Sequence, residues 1–169
     1  MSADNETLRE MLGRLNACRD AREWAATYPD LATAWNACER ADWLLWLAAK
    51  LLPRPIVVQA ACDCAETSLH LIADGGHQMA AMLAVHIARE WAEGREDLDT
   101  VRAAWYASAA WYASAAADAA YFAAAAAAYA SGADAASAAA ARTDALRDMA
   151  ALVRRRIPGP MIVAATVRP

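Results

Sequence analysis

Apolar positions in this chain recur at three- and four-residue intervals along most of its length, the spacing of one helix face rather than of a strand. Asn5 is placed to cap a first helix carrying Leu8, Met11, Leu12 and Leu15. Asp20 is placed to cap a short turn with Trp24, and Tyr28-Pro29-Asp30 breaks it where the next helix starts. That helix carries Leu31, Ala34, Trp35 and Cys38; Asp42 then caps another, Trp43 to Leu52, which Pro53 and Pro55 stop. Ile56 to Ala73 follows, with Gly75-Gly76 as the turn. A further helix runs from about His77 to Glu93, with Met79, Met82, Leu83, His86, Ile87 and Trp91 on one face and Gly94 as its stop. Asp97 or Asp99 caps the next element.

Between Ala103 and Ala141, 25 of 39 residues are alanine, the best helix former. Ala-Ala-Trp-Tyr-Ala-Ser occurs twice in tandem, at 103–108 and 109–114. At 100° per residue, Trp105, Trp111, Tyr112, Phe122 and Tyr129 fall within about 120° of arc, the width of a core-facing stripe. Gly132 and Asp134 mark a stop and a new cap, and a last helix at roughly 135–156 carries Leu146, Met149, Leu152 and Val153. Pro158-Gly159-Pro160 reads as the end of regular structure, leaving Met161 to Pro169 as an apolar tail open to an extended conformation. The expected fold is all-α: a compact multi-helix bundle or helical-hairpin array with a long alanine-rich helical region. It divides into a single helical domain, 1–157, and a Pro/Gly-containing tail, 158–169.

Composition narrows the function more than the fold. The chain has 169 residues, enough for one domain with a substantial core. Its 59% hydrophobic content is largely alanine, so core volume must come from Leu, Met, Ile and the seven Trp. A net charge of −4 argues against nucleic acid as a partner, because phosphate binding needs a basic surface. Arg154, Arg155 and Arg156 fit a helix C-terminus offsetting its dipole. No apolar run is long enough to span a membrane, and Met1 to Arg14 has no signal-peptide pattern, so a cytoplasmic protein with reduced thiols is expected. Cys62 and Cys64, two apart on a helix, suit neither zinc nor a disulfide.

No constellation carries catalysis. Ser68 and His70 face different sides of a helix, and Asp97 and Asp99 sit where a helix start favours acids. His70, His77 and His86 lack the spacing of a metal set, so neither a metal nor a cofactor is expected. Trp35, Trp43 and Trp46 read as core anchors or as a partner-binding patch, tryptophan being enriched at binding hot spots. Asp42 reads as a cap or as a recognition acid for a basic partner residue. Glu90 and Glu93 belong to an acidic cluster around Gly94, placed to steer a basic partner. Asp118 lies beside the aromatic stripe, and reads as part of a buried polar network, as the acid of a ligand pocket with Trp111 and Phe122, or as a plainly exposed residue.

The segment Ala34 to Leu52 holds Ala34-Trp35, Cys38, Asp42-Trp43 and Trp46-Leu47 in the order Ala-Trp-x-x-Cys-x-x-x-Asp-Trp-x-x-Trp-Leu. Ala60-Ala61-Cys62-Asp63-Cys64-Ala65 follows, then Ala88-Arg89-Glu90-Trp91-Ala92-Glu93-Gly94, then the alanine/tyrosine-rich stretch. From about Cys18 to Arg156 this order resembles the immunity proteins of bacterial toxin systems, immunity family five. Asp63 and Glu66 depart from the pattern in being acidic. The resemblance implies a protein partner, a toxin neutralised by stoichiometric binding, and no catalytic residues. The competing expectations are a small-molecule or lipid-binding helical bundle, and a phage-encoded host-interaction or counter-defence protein acting on a host factor. Alanine richness alone suggests a structural or ice-surface protein.

Overall fold

In the computed structural model, residues 7–71, 75–101 and 135–167 are described, and every regular element among them is a helix. The first, α1, spans Leu8–Arg14 and is opened by Thr7 rather than by Asn5, which lies outside the described residues. Thr7 Oγ1 accepts from the Glu10 amide, and the Glu10 carboxylate accepts in return from the Thr7 amide at 2.9 Å, satisfying two orphan donors. The chain turns away two residues past the helix at Asn16, whose φ of 62° suits an asparagine better than a branched residue.

The helix α2, Arg19–Ala25, starts after Cys18 and takes Asp20 into its first turn, not as its cap. In α3, Leu31–Ala37, Asp30 Oδ1 accepts from the Thr33 amide at 2.8 Å. The helix α4 spans Ala41–Leu51 and corrects the reading of Asp42. That residue lies inside the first turn, and its carboxylate is taken by Arg40, so it caps nothing. Leu52 is extended ahead of Pro53, as a residue before proline should be.

Pro55 does not stop a helix; it occupies the first turn of α5, Arg54–Glu66, where no amide donor is needed. This helix ends earlier than expected, Thr67 Oγ1 donating to the Cys64 carbonyl before a 3₁₀ turn at Leu69–Leu71. The helix α6, Gly75–Ala92, is closed by Gly94 at φ 76°. Asp97 Oδ1 then caps the next turn through the Thr100 amide at 2.7 Å. The helix α7 covers Ala135–Arg156, as its pattern predicts.

The C-terminal segment overturns the expectation of an extended tail. Residues Gly159–Thr166 form a helix, α8, with proline in its first turn. Pro158 and Pro160 therefore start a helix instead of ending structure, because a missing amide costs nothing there. Gly159 and Ile162 are buried, and Ile162 belongs to the main core.

That core lies where α4, α5 and α7 meet, with α8 closing it over α3 and α4. Trp35, Leu45, Met149, Val153, Ile157, Ile162 and Cys64 are its fully buried side chains. Ala41, Ala48, Ala60 and Ala150 are also fully buried, and their small volume lets the helix axes approach. A smaller cluster, Cys62, Val85 and Ala88, joins α5 to α6. Arg89 of α6 and Arg156 of α7 both donate to Asp63 of α5, and Arg89 also reaches Glu66. Among the described residues, no helix is long and apolar enough to cross a membrane.

Candidate functional site

Four short helices, α1 to α4, cannot close completely around side chains as large as indole, and a hollow of about 510 Å³ remains between them. Trp35 of α3 lies beneath it, 1% exposed. Half-buried Trp43 and Trp46 of α4 stand along its wall, opposite Trp24 of α2. Trp24 and Trp43 meet with ring centroids 5.8 Å apart at 59°, a tilted contact of the kind aromatic quadrupoles favour. Tyr28 braces Trp24 from behind at 4.7 Å. The remaining surface is made by small or aliphatic residues, Ala17, Ala21, Ala25 and Ala34 among them, which is why there is space to fill.

The rim is polar and internally paired. Arg40 presents its fork to Asp42, Nε to Oδ1 at 2.8 Å and a terminal nitrogen to Oδ2 at 2.5 Å, while its guanidinium carbon stands 4.6 Å from the Trp43 ring centroid. The ion pair and the stacking fix each other: the planar fork can engage a carboxylate edge-on while its face covers an indole. Cys38 lines the same hollow, and burial pushes its thiol up to about 11. Cys62 and Cys64, elsewhere in the core, are pushed up to about 11 and about 12 by the same cause. All three are thus neutral thiols at neutral pH, without the thiolate that nucleophilic chemistry needs.

The structure brings Trp35, Asp42, Trp43 and Trp46 to this one hollow, but in different roles. Trp35 is a core anchor, its indole N–H donating to the Ile157 carbonyl at 3.0 Å, and it offers no exposed face as a partner contact. Trp43 and Trp46 keep exposed edges. Glu90 and Glu93 do not belong to the hollow; they sit at the end of α6, and both pair with Arg95. That arginine holds the Glu90 carboxyl below its ordinary range. The two acids therefore share one guanidinium and are only partly neutralised, rather than standing unpaired. Trp111, Asp118 and Phe122 lie outside the described residues. His70 and His86 are exposed on separate elements, and among the described residues no three His, Cys, Asp or Glu side chains gather as metal ligands.

Sequence reasoning missed Trp24, Ala21 and Arg40 as parts of this site. The contact of Trp24 with Trp43 crosses from α2 to α4, whereas periodicity relates residues only within one helix. Arg40-x-Asp42 did carry a signal: two opposite charges flanking a helix start directly before a tryptophan. No protein-family model, curated protein or solved structure matches the chain.

Proposed function

We propose that this chain is a stoichiometric binding protein of the immunity type, neutralising a partner toxin by occupying it, and that the tryptophan-lined hollow receives an apolar side chain of that partner. The observation that carries this reading is the concave apolar surface between Trp24, Trp43 and Trp46, rimmed by one closed ion pair. Anchor residues of protein complexes seat in desolvated, aromatic-walled recesses of this kind, ringed by contacts that exclude water. The net charge of −4 suits a basic partner, although steering rests on the whole surface, since Glu90 and Glu93 are tied to Arg95.

A partner recovered from the native host is to be titrated against the wild type and against Ala21→Trp, which fills the hollow from α2. The reading expects a one-to-one complex that the variant weakens at least tenfold, with an association rate that falls as salt rises. An unchanged affinity in Ala21→Trp, turnover of a substrate, or activity lost on chelation would overturn it.

The volume of the hollow favours a second reading. About 510 Å³ lies within the range of roughly 300–1,000 Å³ typical of small-molecule sites, mostly apolar with few polar groups. Under this reading a neutral aromatic probe such as N-phenyl-1-naphthylamine saturates one site per chain, quenches tryptophan emission, and is excluded by Ala21→Trp.

A further inference from the structure

The floor of the hollow is held from behind by the C-terminal part of the chain. Trp35 and Cys38 come from the end of α3; Trp35 is bonded to the junction between α7 and α8, and Cys38 to the last turn of α7. The Trp35 indole N–H donates to the Ile157 carbonyl at 3.0 Å in the buried core, and the Arg154 guanidinium donates to the Cys38 carbonyl. Beyond the junction, α8 lies across α3 and α4, with Ile157 and Ile162 fully buried. Gly159 completes the seating. A β-carbon there would stand 3.4 Å from Asn36 Oδ1, at the tight edge of normal contact, so the helix start lies directly on α3.

From this arrangement we infer that docking of α8 and occupancy of the hollow are thermodynamically coupled, with Trp35 and Ile157 as positioning residues for whatever binds above them. The inference rests on the reading of the hollow as a binding site. Its physical basis is that the Trp35 ring lies between the two: it is among the side chains that bound the hollow, though almost wholly buried, and its only polar atom is committed to the backbone that begins α8. If α8 lifts, the indole loses its acceptor and its lower packing surface, and the floor changes shape. Coupling of this kind is reciprocal. A group that fills the hollow must hold α8 down by the same factor by which a docked α8 raises that group's affinity.

The test uses the full chain and N-phenyl-1-naphthylamine as probe, read by fluorescence titration and by hydrogen exchange of the α8 amides. Ala21→Trp, which should abolish the signal, establishes that the probe sits in the hollow. Two variants loosen the floor from below: Trp35→Phe keeps an aromatic ring and removes its N–H, and Ile162→Ala thins the seat of α8. Val85→Ala, in the separate cluster between α5 and α6, controls for loss of stability without a change in the floor. The expected result is at least a fivefold loss of probe affinity in both floor variants and none in Val85→Ala. Saturating probe should also slow exchange across Gly159–Thr166 in the wild type. Normal affinity in the two floor variants, a loss equal to that in Val85→Ala, or α8 exchange indifferent to the probe would overturn the coupling while leaving the hollow a binding site. Failure of the wild type to bind the probe saturably would overturn the hollow as a site for an apolar group, and the coupling with it.

Discussion

Asp63 accepts both arms of the Arg156 guanidinium, at 2.8 and 2.9 Å, across 93 positions of sequence. The same carboxylate accepts from Arg89 at 3.0 Å, so one acid on α5 fastens α6 and α7 together. The two Asp63 pairs are only partly screened, their side chains being 20% to 36% exposed. Removing Asp63 leaves two cations facing each other across the gap. Asp63→Ala is expected to cost about 1–2 kcal/mol, above the median for surface pairs because the geometry is bidentate and shared. Urea unfolding at low and at molar salt checks this. The deficit should shrink in salt, and a deficit that grows there would exclude an electrostatic origin.

The tryptophans divide by what surrounds them. Trp35→Ala empties a fully buried site and should cost about 3–5 kcal/mol, a large share of a domain's total. Trp35→Phe leaves the Ile157 carbonyl without its donor and should cost about 1–3 kcal/mol. Trp43→Ala removes a half-exposed ring stacked on Arg40 and Trp24, and should cost about 1–2 kcal/mol while removing most binding to the hollow. Thermal melting beside probe titration separates the two classes. A Trp43→Ala protein that melts far below wild type yet binds the probe normally would reverse the assignment.

Much of this architecture was legible in single segments. The span of α7 and the glycine stop of α6 follow from local rules, since Leu146, Met149 and Val153 keep helical spacing and Gly94 takes a conformation other residues avoid. Errors came where one residue type has opposite meanings at the two ends of a helix. Pro55, Pro158 and Pro160 look like terminators in the sequence, and each lies at or just before a helix start. Asp42 has the residue type and position of a cap, but it lies inside the first turn and Arg40 engages its carboxylate. The acidity of Asp63 is plain in the sequence, while its purpose depends on Arg89 and Arg156, which no spacing rule connects to it. The hollow was half legible for the same reason. Trp43 and Trp46 share a helix three residues apart, but Trp24 and Ala21 arrive from another helix.

Thiol accounting offers an independent check on the packing. Cys18 is exposed, whereas Cys38, Cys62 and Cys64 are buried with thiols pushed well above their ordinary range. With an aromatic disulfide reagent near pH 7.5, one thiol per chain should react promptly in the native state and four after unfolding in guanidinium. Because Cys18 lines the hollow, its reaction should slow when the probe is bound. Prompt reaction of three or four native thiols would mean that the α4–α5–α7 core is not closed as described.

The pH dependence of stability follows from the same groups, with opposite signs at the two ends. The Thr33 amide lowers the Asp30 carboxyl, the Thr100 amide lowers that of Asp97, and the Arg95 side chain lowers that of Glu90. A carboxyl whose folded value lies below its unfolded value stabilises the fold above the unfolded value and loses that effect as pH falls through the folded one. The unfolded values are near 3.8 for the aspartates and 4.5 for the glutamate, so the acid loss begins below about pH 4.5. The thiols act in the other direction. Burial raises Cys38 and Cys62 to about 11 and Cys64 to about 12, from 9.0. Their contribution is complete below pH 9 and is lost as pH rises toward the folded values, because only the unfolded chain ionises them freely in that window. Unfolding midpoints in urea should therefore form a plateau from about pH 5 to 8.5, falling on both sides. Replacing Cys64 by Ala lowers the plateau slightly, by the sulfur's lost packing, but should flatten the alkaline limb. A limb that begins between pH 7 and 8.5, or one of unchanged steepness in Cys64→Ala, would show that groups other than the buried thiols govern it.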